Sequence, residues 1–273
     1  MNETLDTSMS QSLTPLRFLE KTFTSGKKML FIVIAYAVSL VSGLISACSV
    51  GYPFSSILAY INAVISETGT PVDASVTETL AQLEAIAETV DVTLFIMGFI
   101  ALIPTALIAC GAFFIYNGAV NKDASKASLG TLLIRILFIY QFVVCMLGLA
   151  LTLLCTVLLS ASAPDYIALF AIIAVILAIP VVLTAIYYGK FGKMFKNLGE
   201  SVRTGENKLK VYSYVTVINW IVAVSSILSA VSSLASDFIG TISTIFSAVS
   251  LIFVTMLFSE YKEEMGDPDV ENN

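Results

Sequence analysis

Residues 167–210, IALFAIIAVILAIPVVLTAIYYGKFGKMFKNLGESVRTGENKLK, change character at their midpoint. The first half, 167–188, has no charged residue, whereas the second holds Lys190, Lys193, Lys196, Arg203, Lys208 and Lys210. About 20 apolar residues in a helix cross the hydrocarbon core of a bilayer, and cationic residues beside such a run stay on the cytoplasmic side during insertion. The segment therefore reads as a membrane span followed by its cytoplasmic anchor.

Composition extends that reading to the whole chain. With 57% apolar residues, 12% charged residues and a mean hydropathy of +0.90, the protein lies outside the range of soluble domains. Five further stretches have the length of a span, at about 29–50, 92–116, 137–160, 211–235 and 238–258. Helices satisfy their backbone within the segment, and the short alternating strands of a membrane β-barrel are missing from the pattern. The expected fold is an all-α bundle of six transmembrane helices in one domain, 29–259. A cytoplasmic segment, 1–28, precedes it, an acidic tail, 260–273, follows it, and 51–91 forms a small acidic extracytoplasmic helical segment.

Charge supports an even number of spans. Arg17, Lys21, Lys27, Lys28, Lys122, Lys126 and Lys262 share one face with the basic stretch, while Glu67, Asp73, Glu78, Glu84, Glu88, Asp91, Asp165 and Asp237 share the other, which has no Lys or Arg. Both termini are expected in the cytoplasm, with the chain in the plasma membrane.

Lys190, Lys193 and Lys196 recur every three residues with Phe191, Met194, Phe195 and Leu198 between them. Two readings fit. The lysines orient the protein, or they lie over anionic lipid headgroups on a short interfacial helix that Gly199 ends. Nucleic acid is not an expected partner of an acidic chain whose basic patch is pinned to a membrane. Near the N-terminus, Thr14 before Pro15 has the pattern of a helix cap, with Leu16, Leu19 and Phe23 expected to face the bilayer. The sequence ISAC, ending at Cys48, matches a relaxed lipobox, but the apolar run around it is long enough to span by itself. Cys48, Cys110, Cys145 and Cys155 all fall in or beside apolar runs, where they read as packing residues. The sequon at Asn2 falls in the cytoplasmic segment.

No histidine occurs in the chain, which removes Ser–His catalysis, His-bearing metalloprotease motifs and histidine ligation of haem. No acidic pair lies inside a span and no phosphate-cradling glycine motif is present, so neither an enzyme nor a cofactor or metal site is expected. Transport rests on polar residues within the membrane: Arg135 and Gln141 in the third span, Asn219 in the fifth and, more weakly, Asn117. Because the apolar run around Arg135 is longer than a span needs, its guanidinium can reach the headgroups; Asn219 can hydrogen-bond between helices.

Small residues at four-residue spacing mark close helix packing: Ser39, Gly43 and Ala47; Ser225, Ser229 and Ser233, with Ser236 three residues on; Gly240, Thr244 and Ala248. IPTALIACGAFFIYNG from Ile103 and IPVVLTAIYYGK from Ile179 form a faint repeat. In 51–91, Ser75 and Glu78 form a capping-box pattern, and Val76, Leu80, Leu83, Ala87 and Val90 make an apolar seam that continues through Leu94, Met97 and Ala101. One projecting helix of about 40 residues is expected. Its seam packs on Ile57, Tyr60, Ile61 and Val64 in a two-helix cap, or meets a protein partner or second copy. Together these features point to a non-enzymatic accessory or assembly component of the membrane, with a small-solute transporter or channel as the alternative.

Overall fold

A computed structural model describes residues 14–25, 27–49, 53–68, 74–162, 166–234, 238–266 and 268. Among these the chain is all-α: α1 (Pro15–Ser25), α2 (Lys28–Ser49), α3 (Pro53–Thr68), α4 (Ala74–Ile100), α5 (Ile103–Val120), α6 (Ala124–Ser162), α7 (Ile167–Thr204), α8 (Ser213–Ser233) and α9 (Phe238–Met265). Six stretches are long and apolar enough to cross a membrane, the second comprising α5 and most of α4. The protein is a multi-pass helical bundle by length and composition of its helices. It divides into two compact units, Ala37–Ala106 on the one hand and Met1–Tyr36 with Leu107–Asn273 on the other. All 14 Lys and Arg residues belong to the second of these.

In that larger unit, α6 and α7 form an antiparallel pair in constant register. A Cβ on Gly199 would lie 2.3 Å from Thr131 Oγ1, one on Gly192 3.1 Å from Phe138 Cβ, and one on Gly189 3.8 Å from the Phe142 ring. Each pair of numbers sums to 330 or 331, so the two helices run alongside one another without slipping. Gly199 therefore marks a close crossing and does not end a helix. The basic stretch is no loop: α7 continues straight through it to Thr204, where Gly205 takes the left-handed conformation (φ 77°) and donates its N–H to the Ser201 carbonyl. Asp123 begins α6 by accepting from the Lys126 N–H at 3.1 Å. That bond, with the Lys126 ammonium beside it, holds the Asp123 carboxyl below its usual range against a smaller desolvation effect.

Burial gathers at the charged end of this unit. Phe191, Met194, Phe195 and Leu198, which alternate with the lysines, are core residues, packed with Leu19, Ile32, Ile115, Ile134, Leu257 and Phe258. Leu19 of α1 is fully buried and Phe18 meets the Tyr261 ring edge-on at 5.0 Å. The expected interfacial helix is thus a docked one, because its apolar face finds a protein groove instead of lipid; the Phe23 side chain lies outside the described residues. Thr14 accepts from the Arg17 N–H at 3.4 Å, as a cap should. Lys21 pairs with Glu264 at 2.9 Å and Lys28 with Glu260 at 2.8 Å, so the start of the acidic tail is the end of α9. Away from this core the same helices are bare: Leu147, Leu151 and Val157 of α6 and Ile172, Val175 and Ile176 of α7 are all exposed. Side chains of that kind suit the hydrocarbon of a bilayer.

In the smaller unit α3 and α4 form an antiparallel hairpin. Asn62 donates to Glu84 at 2.5 Å. At the far end the Asp91 carboxylate, which is buried, accepts the Phe54 N–H at 2.8 Å, the Ser55 N–H at 3.2 Å and the Ser55 hydroxyl. Asp91 thereby caps the first turn of α3 from across the hairpin. The end of α2 packs here as well, since a Cβ on Gly43 would meet Leu102 at 2.5 Å and one on Gly98 would meet Ala47 at 3.8 Å. The small residues Gly43 and Ala47 do mark a close approach, and Ser39 is buried.

The long helix breaks after Ile100, because Pro104 has no N–H for the Ile100 carbonyl; the chain turns through Ala101 and Leu102 before Ala106 donates to Leu102 at 2.9 Å. The capping-box pattern of Ser75 and Glu78 falls at the start of α4, where the Ser75 side chain lies outside the described residues. The faint repeat also fails structurally: Pro104 begins α5, whereas Pro180 lies inside α7.

Candidate functional site

The polar residues that raised the question of transport fall into two different settings. Asn219 is 2% exposed and joins three helices: the Tyr187 hydroxyl of α7 donates to its carbonyl oxygen at 2.6 Å, and its amide donates to Thr255 Oγ1 of α9 at 3.0 Å. Thr255 in turn donates to the Leu251 carbonyl at 2.8 Å. Every polar atom in this chain of bonds has a partner. The neighbouring cavity, of about 180 Å³, is lined by side chains such as Ile32, Ile108, Phe138 and Val254, with Tyr36 and Tyr187 its only lining residues that carry a side-chain oxygen.

Arg135 is placed differently. By the α6–α7 register it lies level with Phe195, inside the basic band, and it lines an open groove of about 310 Å³ together with Lys193 and Lys196 of α7. Phe138, Ile139, Phe142, Tyr188, Gly189 and Gly192 complete the groove. Gln141, two turns further along α6, is half-buried and is not part of it. Lys190 is also separate, its ammonium 4.6 Å from the centre of the Tyr212 ring. The three-residue lysine spacing therefore overstates the set: two of the lysines share a groove, and the third cation is on another helix. Sequence spacing had no means of showing that Arg135 joins them, because the residues are brought together by the α6–α7 register alone.

The seam of α4 faces the hairpin. Ala87 is buried and Leu80, Leu83 and Val90 are half-buried, while Val76, beyond most of α3, is exposed. Its cover is not the predicted face. Leu58, 4% exposed, lies inward with Asn62 and Ile65, whereas Ile57, Ile61 and Val64 are exposed and Tyr60 is 72% exposed. A helix turned by one residue, about 100°, accounts for the difference, and the polar anchors Ser55 and Asn62 set that rotation. The serine series of α8 also misses the interface. Ser225 and Ser229 are exposed, and α8 packs through Asn219, Ala223 and Ala230; Ser233 and Ser236 have side chains outside the described residues. On α9, Ala248 is buried and Gly240 and Thr244 are half-buried.

Cys48, Cys110, Cys145 and Cys155 are free thiols, and among the described residues no group of His, Cys, Asp or Glu could hold a metal ion. No family model, no curated protein and no solved structure matches the chain.

Proposed function

We propose that the protein is a non-enzymatic multi-pass component of the plasma membrane, an accessory or assembly subunit that acts through its packing and its partners rather than by moving a solute. The observation that carries this is the Asn219 network. The buried side-chain amide of Asn219 is used up in holding α7, α8 and α9 together, and the cavity beside it is lined almost wholly by apolar side chains. A solute path needs polar groups turned toward water at that depth. The distribution of Lys and Arg supports an orientation with both termini in the cytoplasm.

Reconstitution of the purified chain in a planar bilayer tests the proposal. No ion conductance above that of protein-free membranes is expected, and native electrophoresis of gently solubilised membranes is expected to show the chain in a discrete assembly. A conductance that disappears in Asn219→Val would instead establish the transporter reading.

A further inference from the structure

We propose that the groove between α6 and α7 binds one anionic glycerophospholipid, with its phosphate on Arg135, Lys193 and Lys196 and an acyl chain along Phe138, Ile139 and Phe142. The inference rests on the membrane-spanning reading but not on the absence of transport.

Three observations carry it. The first is order. Along α6 the lining runs Arg135, Phe138, Ile139, Phe142, and along the antiparallel α7 it runs Lys196, Lys193, Gly192, Gly189, Tyr188. Cations stand at one end of the groove and apolar groups at the other, separated by about 10 Å at 1.5 Å per residue. That is the polarity of a lipid lying with its headgroup at the basic band and its chain toward the span.

The second is uncompensated charge. Among the described residues neither Arg135 nor Lys193 has a carboxylate partner, and Lys196 has only the looser contact to Glu200 at 3.6 Å. An Arg fork donates to two phosphate oxygens side by side while the lysines supply point charges. The third is shape. Gly189 and Gly192 keep the α7 wall free of side chains beside Phe138 and Phe142, and the volume of about 310 Å³ is within the range of ligand sites. A free inorganic anion would use the cations and leave the apolar half empty.

The test takes the full chain from vesicles of mixed phosphatidylglycerol and phosphatidylcholine into detergent and measures retained lipid by native mass spectrometry. One phosphatidylglycerol is expected per chain. Retention should fall by about fivefold in Arg135→Gln and again in Lys193→Gln, and stay unchanged in Lys190→Gln, whose ammonium lies on the Tyr212 ring. Added inorganic phosphate should not displace the lipid. The proposal is overturned by full retention in the double variant, by equal retention of phosphatidylcholine, or by displacement with phosphate, which would make this a free-anion site. Thermal melts show whether each variant is folded; should Arg135→Gln fail to fold, Lys193→Gln decides alone. Conductance by the reconstituted protein would refute the proposed function and leave this result standing.

Discussion

Asn219 shows what a single polar side chain can do inside an apolar bundle. It accepts from Tyr187 and donates to Thr255, and hydrogen bonds between membrane helices contribute about 0.6 kcal/mol each on average. With the Tyr187 hydroxyl left unpaired, Asn219→Val is expected to cost about 1–2 kcal/mol, and Tyr187→Phe about half as much, since it removes one bond and leaves an acceptor. Unfolding of both variants in mixed micelles measures this, and no loss in either would remove the network from the account. Glycines make a second contrast. A Cβ on Gly118 would stand 2.3 Å from the Ala127 backbone nitrogen, whereas one on Gly148 meets nothing within 4 Å. Gly118→Ala must push α5 and α6 apart and should destabilise by about 1–3 kcal/mol; Gly148→Ala should be neutral or stabilise by up to about 1 kcal/mol. Nothing in the sequence separates these two glycines, because the difference lies in the register of neighbouring helices.

At the scale of elements, the hairpin of α3 and α4 is held by Leu58 and Ala87 inside it and by Asp91 at its end. Leu58→Ala is expected to cost about 2–3 kcal/mol and to raise amide exchange across 76–90, whereas Tyr60→Ala, on the outer face, should leave exchange unchanged. Asp91→Ala should raise exchange selectively at Phe54 and Ser55, whose N–H groups it accepts; equal protection in all three variants would show that the hairpin is held by something else. The seam of α4 was legible because its apolar residues keep helical spacing. Its cover was not, since α3 is apolar around much of its circumference and the hydrogen bonds from Ser55 and Asn62 decide which face turns inward. The length of α7 was hidden for a related reason. Gly199 resembles a stop in sequence, but its missing Cβ serves the contact with Thr131.

For the whole molecule, the number of span-length helices and the all-α class followed from composition and run length, the most robust signals a sequence contains. The division at Ala37–Ala106 was not readable, because it cuts through α2 and α5 where hydropathy is uniform. The clustering of the core at the charged end is not readable either: Phe191, Met194, Phe195 and Leu198 look like lipid-facing residues until α1 and α9 are placed against them. What charge alone predicts is orientation, and every Lys and Arg lies outside 37–106. The most direct test uses a variant with Cys48, Cys110, Cys145 and Cys155 replaced by alanine, into which Tyr60→Cys or Lys196→Cys is introduced, and a membrane-impermeant thiol reagent added to intact cells. Both positions are exposed. Labelling is expected at 60 without permeabilisation and at 196 only after it; labelling at 196 in intact cells would put the basic stretch outside and overturn the orientation.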